Sequence, residues 1–185
     1  AEALLLGKGQ AGKSSIVRGL TGGSADIVGQ GFRPNTENTA RYTYPSEDLP
    51  LLIFTDTVGL GDIGQETSGI VAELTAELAQ DSRKARILIL TVKITDFAVD
   101  QLRQIAQQLR KKFPAVPCLL AVTCLHELYP PEQIDHPEYP PTDAELVRAY
   151  EALQSSYEGC FDRSVLLEFT LEEDGFTPVF YGQAA

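Results

Sequence analysis

Several things are scarce in this sequence, and each scarcity narrows the field. There is no methionine, and 185 residues hold only two histidines and three cysteines. Cys118, Cys124 and Cys160 are odd in number and show no paired spacing, and two of them lie in or beside an apolar run. Reduced, buried thiols in a cytosolic protein are therefore expected rather than a disulfide framework. His126 and His136 are not spaced like zinc ligands. Basic residues are few as well: 15 Lys and Arg stand against 26 Asp and Glu, a net charge of −11. That balance disfavours nucleic acid and anionic membrane as general partners of this domain. No apolar stretch approaches the ~20 residues of a membrane-spanning helix, and no stretch reads as a signal peptide. The missing methionine, and a core strand that starts almost at residue 1, lead to the expectation of one domain, residues 1–185, excised from a longer protein. Other segments of that protein could attach it to a membrane.

What is present is ordinary for one α/β domain with a full core, 43% hydrophobic and 22% charged. Its focus is Leu4-Leu5-Leu6-Gly7-Lys8-Gly9-Gln10-Ala11-Gly12-Lys13-Ser14-Ser15, an apolar run that breaks into glycines and resumes as Ile16-Val17-Arg18-Gly19-Leu20. This reads as strand, loop and helix. Gly7 to Ser14 fit the pattern G-x-x-x-x-G-K-[ST], in which backbone N–H groups turn inward around a phosphate while the helix aims its positive end at the same point. Gly7, Lys8, Gly9, Gln10, Ala11, Gly12, Lys13, Ser14 and Ser15 are thus candidate phosphate-binding residues. Lys13 reaches the β- and γ-phosphates as a point charge, and the Ser14 hydroxyl is a candidate ligand of Mg²⁺.

Along the chain, apolar runs and periodicity alternate between strand and helix. A helix over 13–20 is followed by a long loop rich in Gly, Asn and Thr, then a half-exposed strand over 40–44. The run from Leu51 to Phe54 predicts a central strand that delivers Asp56 at its carboxyl end. Helical spacing of Ile70, Leu74 and Leu78 predicts about four turns. A strand over 87–92 leads to a helix opened by Thr95-Asp96 and closed by Lys111-Lys112. A buried strand over 117–122 ends at Thr123-Cys124-Leu125-His126, and five prolines then mark an irregular insertion. Thr142-Asp143-Ala144-Glu145 reads as a capping box for a helix through Ser156, and 165–169 as the last strand. The expected fold class is α/β, with three layers: a mostly parallel central sheet and helices on both faces.

Asp56-Thr57-Val58-Gly59 closes the central strand some forty residues after the phosphate loop, as a D-x-x-G motif. The carboxylate would hold Mg²⁺ through a water, and the Gly59 N–H would meet the γ-phosphate unobstructed by a side chain. With both motifs in place the chain resembles the P-loop GTPases, in particular the Era-like bacterial branch, over essentially its whole length. The resemblance implies GTP and GDP as ligands, Mg²⁺ as cofactor, and two loops, 24–39 and 59–68, ordered by the γ-phosphate and released on hydrolysis. It also implies a threonine in the first loop that bonds the γ-phosphate and Mg²⁺. Thr36 and Thr39 are the candidates, with Thr36 favoured because Arg33-Pro34-Asn35-Thr36 leaves room before the strand near Ala40.

Three departures qualify the expectation. Where the family has N-K-x-D, this chain has Thr123-Cys124-Leu125-His126. The aspartate that would accept guanine N1–H and N2–H is missing, and a neutral imidazole offers one acceptor at most. Base contact then falls to Thr123 and to His126 or Glu127, and an ATP-preferring or base-promiscuous enzyme becomes the alternative. Phe169-Thr170-Leu171 stands where the family has S-A-K. The residue after D-x-x-G is Leu60, which can neither donate nor accept, so the usual water-positioning group is absent. A related branch holds a potassium ion with an asparagine at the position of Gln10. Slow intrinsic GTPase activity is expected, stimulated by an unidentified protein effector or a second copy of the domain in a nucleotide-dependent homodimer. A nucleotide-gated scaffold with little turnover is the remaining alternative.

Overall fold

Apolar residues that alternate between two faces build the sheet. The computed structural model describes residues 1–8, 11–21, 33–34, 39–44, 52–57, 67–80, 85–169, 175–176 and 180–182. Its strands are β1 (Glu2–Leu6), β2 (Arg33–Pro34), β3 (Thr39–Tyr44), β4 (Leu52–Thr57), β5 (Arg86–Lys93), β6 (Cys118–Thr123) and β7 (Arg163–Leu166), in the spatial order β2-β3-β4-β1-β5-β6-β7. From β4 through β7 every pairing is parallel, while β3 runs antiparallel to β4, and β2 to β3. The helices are α1 (Lys13–Thr21), α2 (Thr67–Ala79), α3 (Asp100–Lys112) and α4 (Ala144–Ser156).

Period-two alternation divides the buried residues into two cores. Leu4 and Leu6, Leu88 and Leu90, and Leu120 and Val122 point to one side, where they pack with Leu74 of α2, Ile105 and Leu109 of α3, and Leu153 of α4. Leu5, Ile89 and Ala121 point to the other side and meet Ile16 and Val17 of α1. Helices therefore cover both faces, as the doubly apolar strands require. Among the described residues the first core is the larger. On the α1 side lies a partly open cavity of about 240 Å³ lined by Ile16, Leu20, Ile89, Ala121, Leu167 and Phe169, among others. Leu74 and Leu120 are fully buried, and truncating either to Ala would cost about 2–5 kcal/mol in transfer energy and cavity. Among the described residues no helix is long and apolar enough to cross a membrane.

Three local expectations are corrected. Helix α3 begins at Asp100, not at Thr95-Asp96, because both side chains are drawn elsewhere. The Thr95 hydroxyl donates to Glu127, and Asp96 accepts from the Ala98 N–H and pairs with Lys8. The cap of α4 is Asp143 rather than Thr142: one carboxylate oxygen accepts from the Glu145 and Leu146 N–H groups, at 3.1 and 3.0 Å. The run 165–169 is not one strand. β7 ends at Leu166, and β8 (Glu168–Phe169) pairs instead with β9 (Phe180–Tyr181) in a separate antiparallel hairpin.

Candidate nucleotide-binding site

The loop between β1 and α1 lies at the carboxyl end of the central strand, where open parallel sheets place their ligands. Gly7 leaves β1 so close to β5 that any Cβ would run into the Thr91 carbonyl oxygen. Gly12 has φ +88°, a left-handed conformation suited to glycine. Between them the Ala11 N–H closes a turn onto the Lys8 carbonyl at 3.1 Å, and α1 then starts with the Ile16 N–H on the Gly12 carbonyl. Lys13 is only 5% exposed. Its Nζ donates to the Gly7 and Lys8 carbonyls at 2.7 and 3.2 Å, which holds the ammonium inside the curve of the loop. Ala11 is buried and Ser15 half-buried. Lys8 forms a 2.7 Å ion pair with Asp96.

For Ser14, Thr39 and Asp56 the described structure is that of the backbone. Ser14 lies in the first turn of α1. Asp56 sits inside β4, opposite Leu5 of β1 on one side and Ala40 of β3 on the other. Thr39 begins β3 opposite Thr57. Gly9, Gln10, Thr36, Gly59 and Leu60 lie outside the described residues, as do most of loops 24–39 and 59–68, and Thr170 and Leu171.

Beside the loop, at the end of β6, Thr123 is 2% exposed, and its hydroxyl donates to the Ala11 carbonyl at 2.6 Å. This bond joins the two halves of the site. Cys124 then takes a left-handed turn, φ 58° and ψ 41°, into a 3₁₀ turn over Leu125–Leu128 anchored by buried Leu125. Glu127 is held by two partners: Lys93 Nζ at 2.7 Å and the Thr95 hydroxyl at 2.6 Å. Burial pushes the Glu127 carboxyl up, but these two donors outweigh it and hold it below the usual carboxylate range. The Glu127 hydrogen bond in turn raises Lys93, against the opposing effect of burial. Burial raises the Cys124 thiol.

His126 points a different way. Its Nδ1 lies 2.9 Å from Glu168 Oε2, the oxygen that also accepts the His126 backbone N–H at 2.7 Å. Glu168 is 2% exposed, and its other oxygen takes the Phe169 N–H at 3.2 Å. A cluster of rings from the proline-rich insertion and the C-terminal part of the chain backs this region. Tyr129, His136 and Phe176 contact one another, and Tyr181 stacks on His136, at centroid distances of 5.4–5.7 Å. Lys93 and Glu168 were not among the residues singled out from sequence, and Asp96 was read only as part of a helix start. Glu168 alone left a signal, a lone charge inside the apolar run Val165-Leu166-Leu167-Glu168-Phe169, where a carboxylate needs partners to be buried.

A mostly parallel sheet with a glycine loop and a buried lysine at the end of its first strand defines a P-loop α/β domain. Residues 2–123 match the family described as 50S ribosome-binding GTPase, and the chain belongs to that family. The GDP-bound Roco2 RocCORdC structure from Methanosarcina barkeri is similar at 19% identity and a TM-score of 0.42, over 91% of this chain and 43% of that one. The chain thus spans less than half the length of that protein's chain. No curated protein matches.

Proposed function

We propose that this chain is a Mg²⁺-dependent GTP-binding switch of the Era-like branch that hydrolyses GTP slowly, and that residues 1–185 form one such domain within a longer protein. The observation that carries the reading is the phosphate loop itself, with the Lys13 ammonium held inside it by the Gly7 and Lys8 carbonyls. The N–H groups of the loop and the start of α1 supply donors for polyphosphate, and Lys13 adds the point charge. Ser14, Asp56 and Thr36 are the residues that would hold Mg²⁺. Hydroxyl and carboxylate oxygens are the hard donors this ion takes, and the register sets Asp56 beside β1, whose loop leads to Ser14. Bound there, the ion would neutralise phosphate charge. Gly59 is assigned to the γ-phosphate, and a monovalent cation near Gln10 is a further expectation. With Leu60 after Gly59, hydrolysis depends on an outside group, from a protein effector or a second copy of the domain, and the domain itself acts in the cytoplasm.

Calorimetry with GDP, a GTP analogue and ATP tests this reading. Micromolar or tighter binding of GDP with weaker ATP is expected; no binding of any of the three would end it. One observation favours a second reading, in which base selectivity is weak. No carboxylate stands at position 126, and that of Glu127 is taken by Lys93 and Thr95.

A further inference from the structure

The pairing of His126 with Glu168 has a chemical consequence for which base is read. Glu168 comes from β8, 42 residues away from His126, and is almost wholly enclosed. A carboxylate can only accept. Its Oε2 already accepts the His126 backbone N–H, so the 2.9 Å contact with the ring requires the proton to be on Nδ1. In a neutral imidazole the other nitrogen, Nε2, is then a bare acceptor on the far side of the ring. The His126 side chain keeps 30% of its surface exposed. His126 lies just past the carboxyl end of β6, beyond Thr123, whose hydroxyl is bonded to the phosphate loop, and its ring centroid is 6.2 Å from that of Phe176.

We infer that Glu168 is a positioning residue for base selection: it fixes His126 in the Nδ1–H form, so that Nε2 accepts the N1–H of a guanine. This rests on the proposed nucleotide site and adds to it the group that sets the base preference. Guanine offers a donor at N1, whereas adenine offers a lone pair there and would face Nε2 acceptor to acceptor. The Nε2–H form would reverse that preference. A single neutral acceptor discriminates less than a carboxylate that takes two N–H groups, so the selectivity is for guanine but modest. The buried carboxylate also ties down the backbone at His126 and Phe169. A purely structural role would need only those bonds and would leave the ring proton unassigned.

Only two histidines are present, which makes the ring proton directly measurable. Long-range ¹H–¹⁵N correlation of labelled protein, at a pH of about 8 where imidazole is ordinarily neutral, reports the tautomer with no nucleotide added. Calorimetry with GDP and ADP on wild type, His126→Phe and Glu168→Ala supplies the second readout. The expected result is the Nδ1–H tautomer at His126, a shift of its Nε2 resonance on adding GDP but not ADP, and a loss of about 5- to 10-fold in the GDP-to-ADP affinity ratio in His126→Phe, the worth of one neutral hydrogen bond. Glu168→Ala should move His126 toward the Nε2–H form and lower the ratio by a similar factor. An Nε2–H tautomer in wild type would overturn the proposal, whether or not Glu168→Ala folds. So would GDP binding with an unchanged ratio in His126→Phe, and in that case the nucleotide site itself would stand. Absence of binding by either nucleotide, with the Nδ1–H tautomer in place, would bring down the nucleotide site and this inference with it.

Discussion

The two halves of the site are built by different means. Around the phosphate loop, the proposed function rests on backbone: Gly7 in close approach to β5, Gly12 at positive φ, and one lysine bonded to two carbonyls within six residues of it. Around Thr123–Glu127 it is carried by side chains that meet across the fold, with Glu127 reaching Lys93 and Thr95, and His126 reaching Glu168. A backbone cradle has few solutions and so keeps a readable sequence. A side-chain constellation can be built from many combinations of residues, so it leaves a weaker mark on the sequence. The Thr123 hydroxyl on the Ala11 carbonyl is the bolt between the halves.

The sharpest way to break the phosphate half is at its charge. Lys13→Ala should lower GDP and GTP-analogue affinity by about 10²–10³-fold, the order seen when a preorganised donor to a charged oxygen is removed. Far-UV circular dichroism should show the fold retained, and wild-type affinity in this variant would contradict the loop's assigned role. Next in size is Gly7→Ala. Its methyl group would collide with the Thr91 carbonyl of the neighbouring strand, and backbone cannot yield as a side chain does. A loss of about 1–3 kcal/mol in urea unfolding is expected, together with weaker binding, since β1 and the loop must shift apart from β5.

Thr123→Val tests the link between halves. It keeps the shape, removes the hydroxyl and leaves the Ala11 carbonyl without that donor, which should cost about 1–3 kcal/mol of stability. If the halves are coupled through this bond, affinity for inorganic pyrophosphate, which has no base, should fall as well. An unchanged pyrophosphate affinity would show that the base half can move without disturbing the cradle.

The same contrast explains what could be read from sequence. The alternation of strands and helices, the helices on both faces and the glycine loop follow from local signals, because alternation of Leu4-Leu5-Leu6 or Leu88-Ile89-Leu90 is set by the strand's own period. The misreadings fall where side chains serve distant partners. Thr95 and Asp96 have the make-up of a helix start, yet one bonds Glu127 and the other Lys8, and the helix begins at Asp100. Residues 165–169 have the composition of one strand, but Glu168 has to reach His126, and the chain leaves the main sheet after Leu166 to pair with β9. No rule based on neighbours in sequence links residues 42 apart. Asp143 rather than Thr142 as the cap of α4 is a smaller error of one position between two good capping residues.

The smallest expected effect concerns Glu127, and it sharpens the division of labour within the base half. Its carboxyl is held below the usual range by Lys93 and Thr95, despite burial that pushes it upward. A depressed carboxyl contributes stability above its unfolded-state value and loses it as pH falls through the lower folded one. Lys93 is raised, so its share is present below the unfolded lysine value and is lost only as pH climbs past the folded one. The pair is therefore intact across the neutral range and weakens from the acid side first. Both side chains are about 30% exposed or less, which puts the pair at the modest end, about 0.5–1 kcal/mol. Glu127→Gln should lower stability by that amount near neutrality, and the gap to wild type should close as pH drops below the carboxylate range, measured by urea unfolding at several pH values. Its effect on the GDP-to-ADP ratio should be smaller than that of His126→Phe, because the Glu127 oxygens face Lys93 and Thr95. A larger effect from Glu127→Gln would move the base-reading role from the imidazole to this carboxylate and would require the Lys93 pair to open when nucleotide binds.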